Sequence, residues 1–268
     1  MKAGTTTLYR DLETHPQVFL PQEKEPETLV RFGDDDDAVR ADYRSLFKGA
    51  RDGQVKGEAS TAYTKRPTHE GAAERARRIC GPGLKLIYLM REPVARMVSH
   101  YRHEYGLHET SLPMDEAFAK HGRYFDYGRY AYQIEPWKEQ FDDSRFLFLD
   151  FREYVANRHE AGKAVCTFLG LDPDALPAPE EERAFNKSDG KPVALGPVGQ
   201  FIRSPIYQRG IKRALPRSLR ERAMGALLPK ARSAEASLSH AERARLSKRF
   251  AAEPPAPRPM PIPPSPLG

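Results

Sequence analysis

One stretch of the chain constrains its fold more than any other, the apolar run Leu-Lys-Leu-Ile-Tyr-Leu-Met at residues 84–90, which ends at Arg91. A short run that is almost continuously apolar is typical of a parallel strand covered on both faces. Pro93 then predicts the start of a helix, which we expect to reach about Tyr105. Arg91 should therefore lie at the carboxyl edge of a sheet, where open α/β folds bind their ligands.

The remaining pattern alternates between strands and helices. Phe146–Leu149 predicts a second buried strand, and a weaker strand is expected around Gln54–Ala59. Residues 17–37 contain two prolines and a run of four aspartates, so we expect an exposed, irregular loop there. The alternation predicts an α/β three-layer sandwich built on a parallel sheet. Helices are expected from about Thr5 to His15, from Thr68 to Cys80 with Gly81 as the cap, across residues 113–141, and from Ala156 to Leu169 with Gly170 as the stop.

The N-terminal stretch Met1–Leu8 places a lysine and then a glycine immediately before a predicted helix. Gly4 would allow a tight turn, the amides of Thr5 to Thr7 would point outward at the helix N-terminus, and Lys2 would add a positive charge beside them. The three threonine hydroxyls are further donors. The stretch therefore suggests a phosphate-binding loop, although these residues alone are equally compatible with an ordinary helix start capped by threonine.

Composition excludes several classes of protein. Cys80 and Cys166 lie far apart without paired spacing, so neither a disulfide framework nor a zinc site is indicated. No apolar run approaches eighteen residues and no leader pattern opens the sequence, so we expect a soluble, cytoplasmic protein without a membrane segment.

The net charge of +6 is concentrated in residues 201–250, which contain thirteen Lys or Arg and three Asp or Glu. This segment is either a solvated helix face or a surface that attracts anions. Nucleic acid is not expected, because no aromatic interleaving accompanies the charge.

Three segments taken together resemble the sulfotransferases that use 3′-phosphoadenosine 5′-phosphosulfate. They are Lys2-x-Gly4-Thr5-Thr6, Gly57-Glu58-Ala59-Ser60-x-x-Tyr63 and Arg91-Glu92-Pro93-x-x-Arg96-x-x-Ser99-x-Tyr101. Each segment is common alone, but their order and spacing match. The resemblance is greatest to the branch that contains the heparan sulfate N- and 3-O-sulfotransferases and their bacterial relatives, because Lys24-Glu25-Pro26 and Trp137 also fit that branch. It implies a P-loop-like sulfotransferase fold.

The resemblance also implies roles for individual residues. The loop would hold the 5′-phosphosulfate, with Lys2 neutralising the charge that grows on the bridging oxygen, while Arg91 and Ser99 would bind the 3′-phosphate. Glu25 would be the general base, and His103 would assist the proton transfer or bind the acceptor. No metal is implied. The implied donor-binding residues are Lys2, Ala3, Gly4, Thr5, Thr6, Thr7, Arg91, Ser99, Asn186, Lys187 and Ser188, the last three from a loop that closes over the nucleotide.

The ends of the sequence depart from the family. Relatives carry a buried strand before the lysine loop, which leads us to expect that residues 1–268 lack their first strand, are marginally folded and are inactive without upstream residues. The predicted sulfotransferase domain is 1–250. Residues 251–268 follow it as a tail with eight prolines between Pro254 and Pro266, which we expect to be disordered and outside any core.

The sequence is therefore compatible with three functions. The first is transfer of a sulfuryl group to a hydroxyl or amine of an acceptor, expected to be a carbohydrate. The second is a truncated or degenerate protein that binds nucleotide without catalysis. The third, a P-loop kinase, is disfavoured because the strand at 84–90 ends in Arg91 rather than in a carboxylate for magnesium. Neither the acceptor nor the oligomeric state follows from the sequence.

Overall fold

The computed structural model describes residues 2–179 and 238–263. These residues fall into two compact units. The first contains residues 2–97, 122–179 and 241–263, and the second contains 98–121 and 238–240. The helices are α1 Thr5–Glu13, α2 Thr28–Arg31, α3 Asp36–Leu46, α4 Ala72–Cys80, α5 Pro93–Gly106, α6 Met114–Lys120, α7 Arg123–Asp126, α8 Tyr130–Gln140, α9 Phe151–Ala156, α10 Arg158–Leu169 and α11 His240–Ala251. The strands are β1 Val18–Phe19, β2 Val55–Lys56, β3 Leu86–Met90 and β4 Phe146–Asp150.

All four strands pair in parallel, but they form two sheets. Val18 of β1 lies opposite Val55 of β2. In the larger sheet, β3 and β4 pair along their full length, from Leu86 opposite Phe146 to Met90 opposite Asp150. The single sheet that we predict from the sequence is therefore divided, because no strand among the described residues joins β2 to β3.

The β3–β4 sheet carries side chains into a different hydrophobic cluster on each face. Leu89, Leu147 and Leu149 pack in one cluster with residues of α1 and α10. On the other face Tyr88 and Phe148 pack against a cluster that includes residues of α4 and α8. This alternation follows from the two-residue period of a strand. It confirms the prediction of two helical layers around a parallel sheet.

Several element boundaries differ from those predicted. Residues 17–37 are not wholly irregular, because they contain β1 and α2, and β2 is shorter than the predicted strand at 54–59. The helix predicted from Thr68 begins at Ala72. After β4 a helix starts at once, since the Asp150 carboxylate accepts hydrogen bonds from the amides of Arg152 and Glu153 at 2.7 and 3.2 Å. The predicted helix 156–169 is thus preceded by a separate α9.

The proline-rich tail contributes to the first unit. The Met260 amide donates to the Phe148 carbonyl of β4 at 2.8 Å, and the side chains of Met260 and Ile262 pack against the same cluster as α1 and α10. The Glu253 carboxylate accepts from Arg129 at 2.7 Å. The expectation that the tail takes no part in a core is therefore wrong for these residues, because Met260 and Ile262 supply apolar side chains between the prolines.

Candidate active site

The first helix begins with an N-terminus that no side chain caps. Gly4 has φ +85°, and its carbonyl accepts from the amides of Thr7 and Leu8 at 3.0 and 3.2 Å. The amides of Thr5 and Thr6 have no hydrogen-bond acceptor within the described residues. By contrast, the Glu92 carboxylate caps α5 with two bonds of 2.8 Å. An uncapped helix start presents donors and the positive end of the helix dipole to an anion.

The loop that precedes α1 lies against the carboxyl ends of both long strands. A Cβ atom on Gly4 would fall 2.8 Å from the ring of Phe151, the residue that follows β4, and 3.5 Å from Leu89 of β3. Only glycine combines this close approach with a left-handed backbone at no steric cost. The loop therefore occupies the edge of the sheet at which the sequence predicts ligand binding.

Arg91 stands at the same edge. Its Nη1 donates to the Lys2 carbonyl at 3.3 Å, and its guanidinium carbon lies 4.9 Å from the centre of the Phe151 ring. The Tyr130 hydroxyl fixes the backbone of Arg91, since it accepts from the Arg91 amide at 3.1 Å and donates to the Arg91 carbonyl at 2.6 Å. Arg91 thus places a positive charge beside the loop. Its contact with a 3′-phosphate stays a prediction.

Glu25 is held by three hydrogen bonds. Its Oε1 accepts from Lys24 Nζ at 2.7 Å and its Oε2 accepts from Thr61 Oγ1 at 2.8 Å. Its amide donates to the Ala59 carbonyl at 3.1 Å. The Glu25 side chain is 36% exposed, so it is accessible from solvent.

The charges at the site act on one another. Burial lowers the pKa of the Lys2 ammonium; the Glu25 carboxylate opposes this shift, and the positive charges of Arg91 and Lys24 add to it. The lysine, the carboxylate and the arginine at the strand end therefore share one electrostatic environment. A lowered pKa makes the Lys2 ammonium easier to deprotonate.

The pKa of Glu25 is lowered as well. Burial would raise it, but the hydrogen bond and charge of Lys24, the hydrogen bond of Thr61 and the charge of Lys65 outweigh burial. Glu25 is therefore ionised at neutral pH and can accept a proton. The same interactions also make it a weaker base than an isolated glutamate.

The other predicted residues lie on α5 or outside the described residues. Ser99 and His103 lie on α5, in the part of that helix that belongs to the second unit, and their roles stay predictions. Asn186, Lys187 and Ser188 lie outside the described residues.

The roles of two residues at the site were not predicted from the sequence. Thr61, the partner of Glu25, lies inside the predicted Gly57–Tyr63 segment at a position to which no role was given. Phe151, which supports Gly4 and Arg91, directly follows the predicted strand at 146–149, and an aromatic residue at a strand end was the available signal.

The described residues contain neither a membrane-spanning helix nor a cluster of metal ligands. None of the helices described is long and apolar enough to cross a membrane. Within residues 2–179 and 238–263, no group of three or more His, Cys, Asp or Glu side chains could hold a metal ion.

Two proteins of known function are similar to this chain in sequence. Both are named heparan sulfate glucosamine 3-O-sulfotransferase 6; the protein from Mus musculus is 33% identical over 182 residues and that from Homo sapiens is 32% identical. Each match covers 63% of this chain and 50% of the relative. The chain thus spans about half the length of the curated relatives it matches.

Two of the solved structures that are similar to it in fold are sulfotransferases. The crystal structure of a sulfotransferase from Alicyclobacillus acidocaldarius has a TM-score of 0.59 and 27% identity, covering 68% of this chain and 83% of that chain. The sulfotransferase domain from the curacin biosynthetic pathway has a TM-score of 0.51 and 15% identity, with coverage of 94% and 95%, and is evidence of the fold alone. The fold is therefore the α/β sulfotransferase fold.

A family model, described as the sulfotransferase domain, matches residues 1–195. This range contains the uncapped helix start at Gly4, the held carboxylate of Glu25 and the strand-end residue Arg91. With most of the chain matched, the chain belongs to the sulfotransferase family.

Proposed function

We propose that this chain transfers a sulfuryl group from 3′-phosphoadenosine 5′-phosphosulfate to a hydroxyl or amine of a carbohydrate acceptor. The observation that carries the proposal is the convergence of an uncapped helix start, Lys2, Arg91 and the ionised Glu25 at the carboxyl edge of the β3–β4 sheet. The names of the two mammalian relatives support the acceptor class.

The donor fits this arrangement by charge and by hydrogen bonding. The free amides of Thr5 and Thr6 and the threonine hydroxyls would donate to the 5′-phosphosulfate, and Lys2 would face the bridging oxygen. Arg91 with Ser99 would bind the 3′-phosphate, because a guanidinium makes strong paired hydrogen bonds to phosphate oxygens. Asn186, Lys187 and Ser188 would close over the nucleotide.

The reaction needs one base and one stabilised leaving group. The acceptor oxygen or nitrogen attacks sulfur and forms a new bond as the bond from sulfur to the bridging oxygen breaks. Glu25 takes the proton from the acceptor, and 3′-phosphoadenosine 5′-phosphate leaves with the electron pair, its charge offset by Lys2. His103 is the second candidate for the proton.

The proposal is tested with donor that carries radiolabelled sulfur and a heparan-type glucosamine oligosaccharide, in the presence and absence of EDTA. We expect label in the oligosaccharide under both conditions, a result that would overturn the sequence-based expectation that residues 1–268 are inactive without upstream residues. A panel of hydroxyl and amine acceptors that all stay unlabelled, while the nucleotide binds, would favour the degenerate nucleotide-binding protein. Phosphoryl transfer from ATP that EDTA abolishes would favour the kinase.

A further inference from the structure

We infer that Glu58 is a positioning residue, which through Ser60 and Tyr63 holds the segment 25–29 and so places Glu25 for proton transfer. The inference rests on the proposed function, since it gives Glu58 a purpose only if Glu25 is the base.

The segment 25–29 has a backbone that needs support. Glu25 has φ +60° and Glu27 has φ +56°, both in the left-handed region. Residues with a Cβ atom adopt this region at an energetic cost, and such conformations persist where the surroundings hold them. The candidate base thus sits in a conformation that the segment would not favour by itself.

Three backbone amides of this segment donate to residues 59–63 and provide part of the support. The Glu25 amide donates to the Ala59 carbonyl at 3.1 Å. The Glu27 amide donates to Ser60 Oγ at 3.0 Å, and the Leu29 amide donates to the Tyr63 hydroxyl at 3.2 Å. Two of the three acceptors are therefore side-chain hydroxyls, which can rotate unless something fixes them.

Glu58 fixes both hydroxyls. Ser60 Oγ lies 2.8 Å from Glu58 Oε2, and the Tyr63 hydroxyl lies 2.5 Å from Oε1. Each hydroxyl has one hydrogen, and while this hydrogen is engaged with Glu58 the oxygen lone pairs face the amides of Glu27 and Leu29. The hydroxyl of Tyr43 in α3 also donates to Glu58 Oε1 at 3.3 Å, so Glu58 is hydrogen-bonded to a helix outside the segment 25–29. A single side chain thus orders both acceptors.

The test compares Glu58→Met, which keeps the volume but cannot accept these hydrogen bonds, with Glu58→Gln, whose single amide oxygen can accept from one hydroxyl while its NH₂ group can only donate to the other. Asp11→Asn is the matched control, because Asp11 is also a largely buried carboxylate, 9% exposed, that accepts from a tyrosine, Tyr154, at 2.6 Å. The rate of amide hydrogen exchange at Glu27 and Leu29 measures how firmly the segment 25–29 is held, and this measurement does not require catalytic activity. The turnover rate and the affinity for the donor measure how this support of the segment affects catalysis.

We expect exchange at both amides to be at least about tenfold faster in Glu58→Met. Turnover should fall by about tenfold to a hundredfold with the KM for donor changed by less than about threefold, since a displaced base affects chemistry rather than donor binding. Glu58→Gln should lie between the wild-type chain and Glu58→Met in both properties, because it can still accept from one of the two hydroxyls, and Asp11→Asn should leave exchange at Glu27 and Leu29 unchanged.

Unchanged exchange in Glu58→Met overturns the inference, as does faster exchange with normal turnover. If Glu58→Met does not fold, Ser60→Ala decides, because it removes only the acceptor of the Glu27 amide: faster exchange at Glu27 supports the inference and unchanged exchange overturns it. Absence of transfer by the wild-type chain contradicts the proposed function instead, and the exchange measurement still decides whether Glu58 holds the segment.

Discussion

At the scale of single residues, the site depends on two charges with opposite tasks. Lys2 is to stabilise a leaving oxygen and must be protonated, while Glu25 is to accept a proton and must be ionised. The lowered pKa of Glu25 keeps its carboxylate ionised down to a pH below the usual glutamate range, and the lowered pKa of Lys2 brings its deprotonation closer to neutral pH. The proposed reaction therefore has its optimum between these two ionisations.

Substitution of each residue separates binding from chemistry. Glu25→Gln keeps the size and one acceptor oxygen but cannot take the proton, so most turnover should be lost while nucleotide affinity is retained. Lys2→Ala should reduce turnover by about two orders of magnitude, a typical loss for a charge aimed at a leaving group. Steady-state rates together with calorimetric nucleotide affinity measure both effects. Near-normal rates for Glu25→Gln would mean that Glu25 is not the general base and that His103 is the next candidate.

The protonation of Lys2 can be measured without turnover. Amines react with acetic anhydride only when neutral, so lysine labelling followed by mass spectrometry reports each lysine as a function of pH. Because burial lowers the pKa of Lys2, we expect its labelling to rise at lower pH in the folded chain than in the chain unfolded in urea. Identical pH profiles of Lys2 in the folded and the unfolded chain would contradict the electrostatic description of the site.

At the scale of elements, the junction between the loop and α1 places the site at the sheet edge. Gly4 combines a left-handed backbone with close contact to Phe151. The sequence predicted this junction well, since a glycine directly before an amphipathic helix indicates a turn, and an apolar strand ending at Arg91 indicates a sheet edge. It did not predict Thr61 as the partner of Glu25 or Phe151 as the support of the loop, because both contacts join segments far apart in the chain. The aromatic residue at the end of the predicted strand was a signal for Phe151 alone.

Gly4→Ala tests this junction, with Gly53→Ala as its matched control. Gly53 has a similar φ of +79°, but a Cβ atom there would meet nothing within 4 Å. Gly53→Ala should therefore cost only the left-handed conformation, about 1–2 kcal/mol. Gly4→Ala should cost about 1–3 kcal/mol more, because its Cβ would crowd the Phe151 ring, and it should also weaken nucleotide binding. Equal losses in urea unfolding would show that the contact with Phe151 is unimportant.

At the scale of the whole molecule, residues remote in sequence complete one core. Met260 and Ile262 of the tail pack in the same cluster as α1 and α10. Composition alone suggested a tail outside the core, because eight prolines are typical of a disordered segment, but proline does not prevent an extended segment from packing against a strand edge. The two separate sheets were also unforeseen, since pairing between distant strands leaves no signal in one sequence.

The double substitution Met260→Ala with Ile262→Ala tests the contribution of the tail. Both side chains are partly buried, so their truncation should lower the free energy of unfolding by about 1–3 kcal/mol. Val155→Ala is the control, because Val155 is 56% exposed and its truncation should change stability by less than about 0.5 kcal/mol. Unfolding in urea provides the comparison, and a double variant as stable as Val155→Ala would refute the packing of the tail.

The central claim is that the Lys2 loop and Arg91 form a site for 3′-phosphoadenosine 5′-phosphosulfate, and nucleotide titration calorimetry tests it most directly. The chain should bind 3′-phosphoadenosine 5′-phosphate at least about tenfold more tightly than AMP, since a charge-assisted contact to the 3′-phosphate is worth about 1.5–3 kcal/mol. Arg91→Ala should bring the two affinities close together by weakening the first. Equal affinities in the wild-type chain would contradict the account.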